Sequence, residues 1–127
     1  MKLPKLLVDL LAAQDKYDSE TFAKNFSDDA IVHDEGKTYR GKSEIKQWNE
    51  MTNAKYKTKY ETLEISKNGD GIILTAKISG TFPGSPAIIK YHFETKNGKI
   101  TSLRIETTHK NIKAAASIRF GNMAGDE

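Results

Sequence analysis

The sequence predicts an α+β domain in which three N-terminal helices pack on a curved, mainly antiparallel sheet. Three observations carry this. Apolar residues recur at helical spacing through the first half and alternate through the second. The turn signals Asn68-Gly69, Pro83-Gly84 and Asn97-Gly98 cut the second half into strands that follow one another as hairpins. The 127 residues suffice for one hydrophobic core and not for two.

Each element has its own signal. Leu3, Leu7, Leu10 and Leu11 share a face around Pro4, which a first turn tolerates, so residues 4–14 form an amphipathic helix. Asp18-Ser19-Glu20 caps a second helix that turns Phe22, Ala23 and Phe26 inward. Residues 30–34 and 38–40 flank the Glu35-Gly36-Lys37 turn as a short strand pair. Ser43 is placed to cap a third helix carrying Ile45, Trp48 and Met51 or Thr52 on one side.

Strands over 56–67, 72–82, 87–95 and 100–109 complete the sheet. Alternation puts Ile72, Leu74, Ala76, Ile78, Gly80 and Phe82 on one face. Ile89, Tyr91 and Phe93 form a second such row, and Leu103, Ile105, Thr107 and His109 a third. Residues 1–110 thus read as the domain. Residues 111–127 read as a short helix over 112–120, begun at Asn111 and stopped by Gly121, followed by a frayed tail.

Composition removes several classes of function. There is no cysteine, hence no disulfide, thiol nucleophile or thiolate metal site. His33, His92 and His109 lie on separate segments without ligand spacing, and no phosphate loop, dinucleotide fingerprint or Gly-x-Ser-x-Gly elbow occurs, so neither a metal nor an organic cofactor is expected. The net charge of +3 comes from 20 cations interspersed with 17 anions, which is no nucleic-acid footprint. Lys55, Lys57 and Lys59 form the densest basic patch and are expected to alternate along one solvated strand face. No apolar run suits a membrane span, and the Lys5- and Asp9-interrupted start lacks the h-region of a secretory signal; a cytoplasmic location is the expectation. What remains is acid–base chemistry in a pocket, or binding alone.

Two segments carry a family resemblance. One is Phe26-Ser27-Asp28-Asp29-Ala30-Ile31-Val32-His33-Asp34, running on through Tyr39-Arg40-Gly41 to Ile45 and Trp48. The other is Gly80-Thr81-Phe82-Pro83-Gly84, followed by Tyr91-His92-Phe93 and Asn97-Gly98-Lys99-Ile100. Together they resemble the SnoaL-like branch of the NTF2-like superfamily, small cones that enclose one pocket. The resemblance implies the following roles, with ketosteroid isomerase as the best-understood relative. The general base of that enzyme ends a Phe-x-Asp-Asp-Ala-x-Val-x-Asp pattern, which places Asp34 on it. One oxyanion donor precedes a His-Phe pair, which here puts Tyr91 in that position. The other donor, a tyrosine on the first helix, aligns with Leu10. Polyketide cyclases of the same branch use an acidic residue to remove a proton next to a carbonyl.

The resulting expectation is a cofactor-free isomerase, cyclase or lyase in which Asp34 is the base and Tyr91, with His109, stabilises an enolate. Phe22, Phe26, Tyr39, Trp48, Tyr60, Phe82, Phe93 and Thr107 would hold an apolar substrate. Two other readings use the same chain: a binding domain for a hydrophobic metabolite, and an interaction module of the NTF2 type. The resemblance also implies a homodimer formed through the outer sheet face.

Overall fold

In a computed structural model the described residues are 3–34 and 36–107. Three helices, α1 (Lys5–Asp15), α2 (Ser19–Lys24) and α3 (Gly41–Tyr56), pack against one six-stranded, curved, mostly antiparallel sheet. Its strands are β1 (Phe26–Asp34), β2 (Lys37–Arg40), β3 (Lys59–Asn68), β4 (Gly71–Ser79), β5 (Ala87–Lys96) and β6 (Lys99–Thr107), in the spatial order β2-β1-β6-β5-β4-β3. Successive hairpins join β3 to β6, as the turn signals require.

The helices are set by local chemistry. Pro4 precedes α1 as its N-cap, where the absent N–H costs nothing. The Asp18 side chain accepts from the Thr21 N–H at 3.2 Å and its hydroxyl at 2.7 Å, capping α2 as predicted. These bonds hold the Asp18 carboxyl below its ordinary range. For α3 the expected cap at Ser43 is corrected. The cap is Arg40, three residues earlier, so that the helix begins at Gly41, and the Glu44 carboxylate reaches back to the Arg40 N–H at 2.8 Å.

Three other boundaries differ from expectation. Phe26 opens β1 instead of ending α2, because the Asn25 carbonyl is already engaged by the Ile100 N–H of the sheet. α3 runs on to Tyr56, so Lys55 closes a helix, Lys57 sits in its left-handed C-cap at φ 51° and Lys59 begins a strand. The three lysines therefore share no sheet face. β4 stops at Ser79, leaving Gly80 and Phe82 in the following loop. The expected segment 111–127 and His109 lie outside the described residues, as does Glu35.

The core lies between the helices and the concave face. Leu7, Phe26, Val32, Ile45, Leu74, Ile100 and Leu103 are its largest fully buried side chains. Each contributes about 1.5–3 kcal/mol of burial, so this layer rather than helix propensity fixes the arrangement. The alternation is as predicted: Ile72, Leu74, Ala76 and Ile78 are buried in β4, and Ile89, Tyr91 and Phe93 in β5.

One pairing places the site. β1 joins β6 in parallel, with Val32 opposite Leu103 and His33 opposite Arg104. The next residue, Asp34, thereby comes level with Ile105, whose antiparallel partner on β5 is Tyr91. A carboxylate and a tyrosine far apart in sequence are brought to one end of the concave face.

Candidate functional site

Asp34 and Tyr91 line a cavity of about 520 Å³, counted to its open mouth. One wall is the inner stripe of α3, with Trp48, Asn49, Thr52 and Tyr56 at helical spacing. The facing wall is the sheet, where Tyr60, Ile78, Ile89 and Ile105 join Tyr91. A second chamber of about 310 Å³ opens toward α1 between Leu10, Phe22, Leu74 and Phe93. Trp48, Tyr60 and Tyr91 belong to both chambers, so these three rings form the partition between them.

The carboxylate is oriented by its neighbours. The Trp48 indole N–H donates to Asp34 Oδ2 at 3.3 Å. Trp48 is in turn wedged between Tyr39, at 5.8 Å between ring centroids, and Phe22, at 6.3 Å. The Tyr60 and Tyr91 rings lie 5.6 Å apart.

Charge and burial keep the tyrosines protonated. Burial pushes the Tyr60 hydroxyl up; a hydrogen bond with Tyr91 opposes this, and the Asp34 charge adds to it. Tyr39 and Tyr56 are raised for the same two reasons, burial first and Asp34 second. A carboxylate thus faces neutral phenols that can donate, inside walls that are mostly apolar. Such a set can take a proton from a ligand atom and support negative charge on an oxygen.

A polar feature that the sequence did not signal sits behind α3. Gln14 of α1 and Asn49 and Asn53 of α3 are all more than nine-tenths buried and form a closed ring of amides. Gln14 Nε2 donates to Asn53 Oδ1 at 2.7 Å, Asn53 Nδ2 to Asn49 Oδ1 at 3.0 Å, and Asn49 Nδ2 to Gln14 Oε1 at 2.9 Å. Ser19 Oγ adds a 2.6 Å bond to Asn49 Oδ1, and Gln14 Nε2 reaches Thr58 Oγ1 at 3.3 Å. The ring fastens α1 to α3 and presents Asn49 to the cavity. Its only sequence trace is the spacing of Asn49 and Asn53, which continue the stripe of Ile45 and Trp48.

The other expected ligand contacts divide. Trp48 and Tyr60 line both chambers, and Phe22 and Phe93 line the one toward α1. Phe26, Tyr39 and Phe82 line neither: Phe26 is fully buried, Tyr39 backs Trp48, and Phe82 lies edge-on to Tyr56 at 6.0 Å. The Thr107 backbone closes β6 opposite Ile89.

Comparison with known proteins agrees with this architecture. The family profile for the SnoaL-like domain matches residues 7–103. A candidate polyketide cyclase from Sinorhizobium meliloti is 34% identical and superposes with a TM-score of 0.79, over 82% of this chain and 95% of its own. A hypothetical protein from Catenulispora acidiphila with a ketosteroid isomerase-like fold, solved with trimethylamine, is 20% identical with a TM-score of 0.77, over 91% of this chain and 94% of its own. An NTF2-like protein of unknown function from Cytophaga hutchinsonii is 17% identical with a TM-score of 0.70, over 88% and 98% respectively. No curated protein matches the chain. No helix among the described residues is long and apolar enough to cross a membrane.

Proposed function

The chain belongs to the SnoaL-like domain family, and from that premise we propose that it is a cofactor-free enzyme of the isomerase or cyclase type acting on a small, mainly apolar carbonyl compound. The observation that carries this is the company Asp34 keeps: an indole N–H at 3.3 Å orients it, and neutral tyrosines share its apolar cavity. In the proposed step a C–H bond next to the carbonyl breaks, its proton passes to the Asp34 carboxylate, and its electron pair moves onto the carbonyl oxygen. The Tyr91 hydroxyl, in the same cavity, donates to the enolate oxygen that forms. The substrate then either takes the proton back from Asp34 at another carbon, or its enolate carbon attacks a second carbonyl of the same molecule, whose π bond breaks as its oxygen takes the proton from Asp34. The similarity to a candidate polyketide cyclase favours the second outcome. Outer-face homodimerisation and a cytoplasmic location belong to the same proposal.

One observation favours a rival, a binding domain without turnover. Leu10, where the ketosteroid isomerase pattern has a donor, is buried in the chamber toward α1 and supplies only apolar contact. Titration of Trp48 fluorescence with small cyclic enones and polyketide-like phenols, combined with turnover assays, separates the two. For the enzyme, Asp34→Asn abolishes conversion and leaves affinity within a few-fold. Saturable binding without conversion by the unmodified protein would establish the rival.

A further inference from the structure

The amide ring does more than join two helices. Asn49 has two N–H donors and one acceptor oxygen. The oxygen receives Ser19 Oγ and Asn53 Nδ2, and one N–H is given to Gln14 Oε1. These bonds fix the amide plane from three sides, two of them on elements that do not belong to the cavity. The second N–H has no acceptor among the described residues, yet the residue is 3% exposed and forms part of the wall of the chamber that holds Asp34. In the open cavity water can meet that N–H, and a ligand acceptor arriving there takes the water's place.

We propose that Asn49 is a ligand-orienting residue: its second N–H binds the carbonyl oxygen of the substrate, alongside the Tyr91 hydroxyl. This deepens the reading of Asp34 as base and rests on it. It also supplies a second donor from α3 where Leu10 leaves α1 without one. The ligand class narrows accordingly to a molecule with a carbonyl oxygen two bonds from the acidic carbon. A purely hydrocarbon ligand would leave the donor unmet. The ring makes the arrangement rigid, because turning the Asn49 amide away breaks three bonds at once.

The test uses the intact protein, with cyclohexanone and its hydrocarbon analogue methylenecyclohexane as probes. Trp48 fluorescence reports occupancy, and the two Asn49 side-chain amide protons are followed by NMR. The expected result is that cyclohexanone moves one Asn49 proton downfield and leaves the Gln14-bonded one in place, whereas methylenecyclohexane moves neither. Asn49→Leu should then weaken cyclohexanone about 5-fold more than it weakens methylenecyclohexane, in line with one lost hydrogen bond. A Trp48 response to cyclohexanone with both Asn49 protons still would overturn the role of Asn49 while leaving the pocket reading intact. No Trp48 response to either probe would overturn both.

Discussion

Replacing Gln14 with leucine tests whether the buried amides behave as one unit. Gln14→Leu keeps the side-chain size and removes the bonds to Asn53 (2.7 Å), Asn49 (2.9 Å) and Thr58 (3.3 Å). Thr58 lines the open cavity, so water can replace its lost partner. Asn53 Oδ1 and the Asn49 N–H sit on residues 6% and 3% exposed, where water is excluded. Orphaning two such groups costs about 1–3 kcal/mol each. Burying leucine in place of an amide returns about 1–2 kcal/mol. The net loss lies between about 0 and 5 kcal/mol with a midpoint of ~2.5 kcal/mol, a large share of the ~5–15 kcal/mol that holds a domain of this kind together. Urea unfolding followed by Trp48 fluorescence measures it, and the melting temperature should fall by roughly 8–15 °C. Replacing Gln14, Asn49 and Asn53 together with leucine should cost less than the sum of the three single changes, because the amides leave no orphan among themselves and only the Ser19 hydroxyl loses its acceptor. A single-variant loss under about 0.5 kcal/mol, with simple additivity in the triple, would refute the view that these bonds form a coupled ring.

Three further outcomes are expected. A Cβ at Gly80 would stand 2.5 Å from the Tyr56 carbonyl and 3.1 Å from the Phe82 ring, so Gly80→Ala must displace the end of α3 and should cost about 1–3 kcal/mol in urea unfolding. Tyr39, Tyr56 and Tyr60 hold their protons more tightly when folded than at the ordinary value of 10.0; their contribution to stability is therefore complete below that pH and lost above it, as their raised values are passed. A pH series of melting temperatures should fall in that alkaline range, with tyrosinate absorbance appearing as the protein unfolds. The Glu106 carboxyl is held below its ordinary value of 4.5, first by its hydrogen bond to His92, so it favours folding above that pH and ceases to as its lowered value is passed. Glu106→Gln should flatten the acid limb of the melting curve only slightly, since the pair is solvent-screened.

Much of the fold was legible because it repeats a local rule. The rows Ile72-Leu74-Ala76-Ile78 and Ile89-Tyr91-Phe93 read directly as buried faces, and three turn signals set the hairpins. The boundaries that were misjudged lie where two signals compete. Phe26 suits a helix or a strand, and it is the sheet contact between Asn25 and Ile100 that decides. Lys55 and Lys57 alternate like strand residues, yet the buried face of α3 continues through Asn53 to Tyr56 and carries them into the helix. The family resemblance points to Asp34 and Tyr91, but their shared cavity follows from the parallel pairing of β1 with β6, a register no local pattern encodes. Gln14 and Asn53 were missed because each is an ordinary polar residue until the fold closes the 39 positions between them.

The most direct test of the central claim is proton abstraction itself, read as deuterium uptake next to the carbonyl of a bound cyclic enone in deuterated water. The account predicts uptake well above the buffer rate, about 100- to 10,000-fold slower in Asp34→Asn, with the enone still bound as judged by Trp48 fluorescence. Equal uptake by both proteins, or none beyond buffer with the enone bound, would contradict Asp34 as the base.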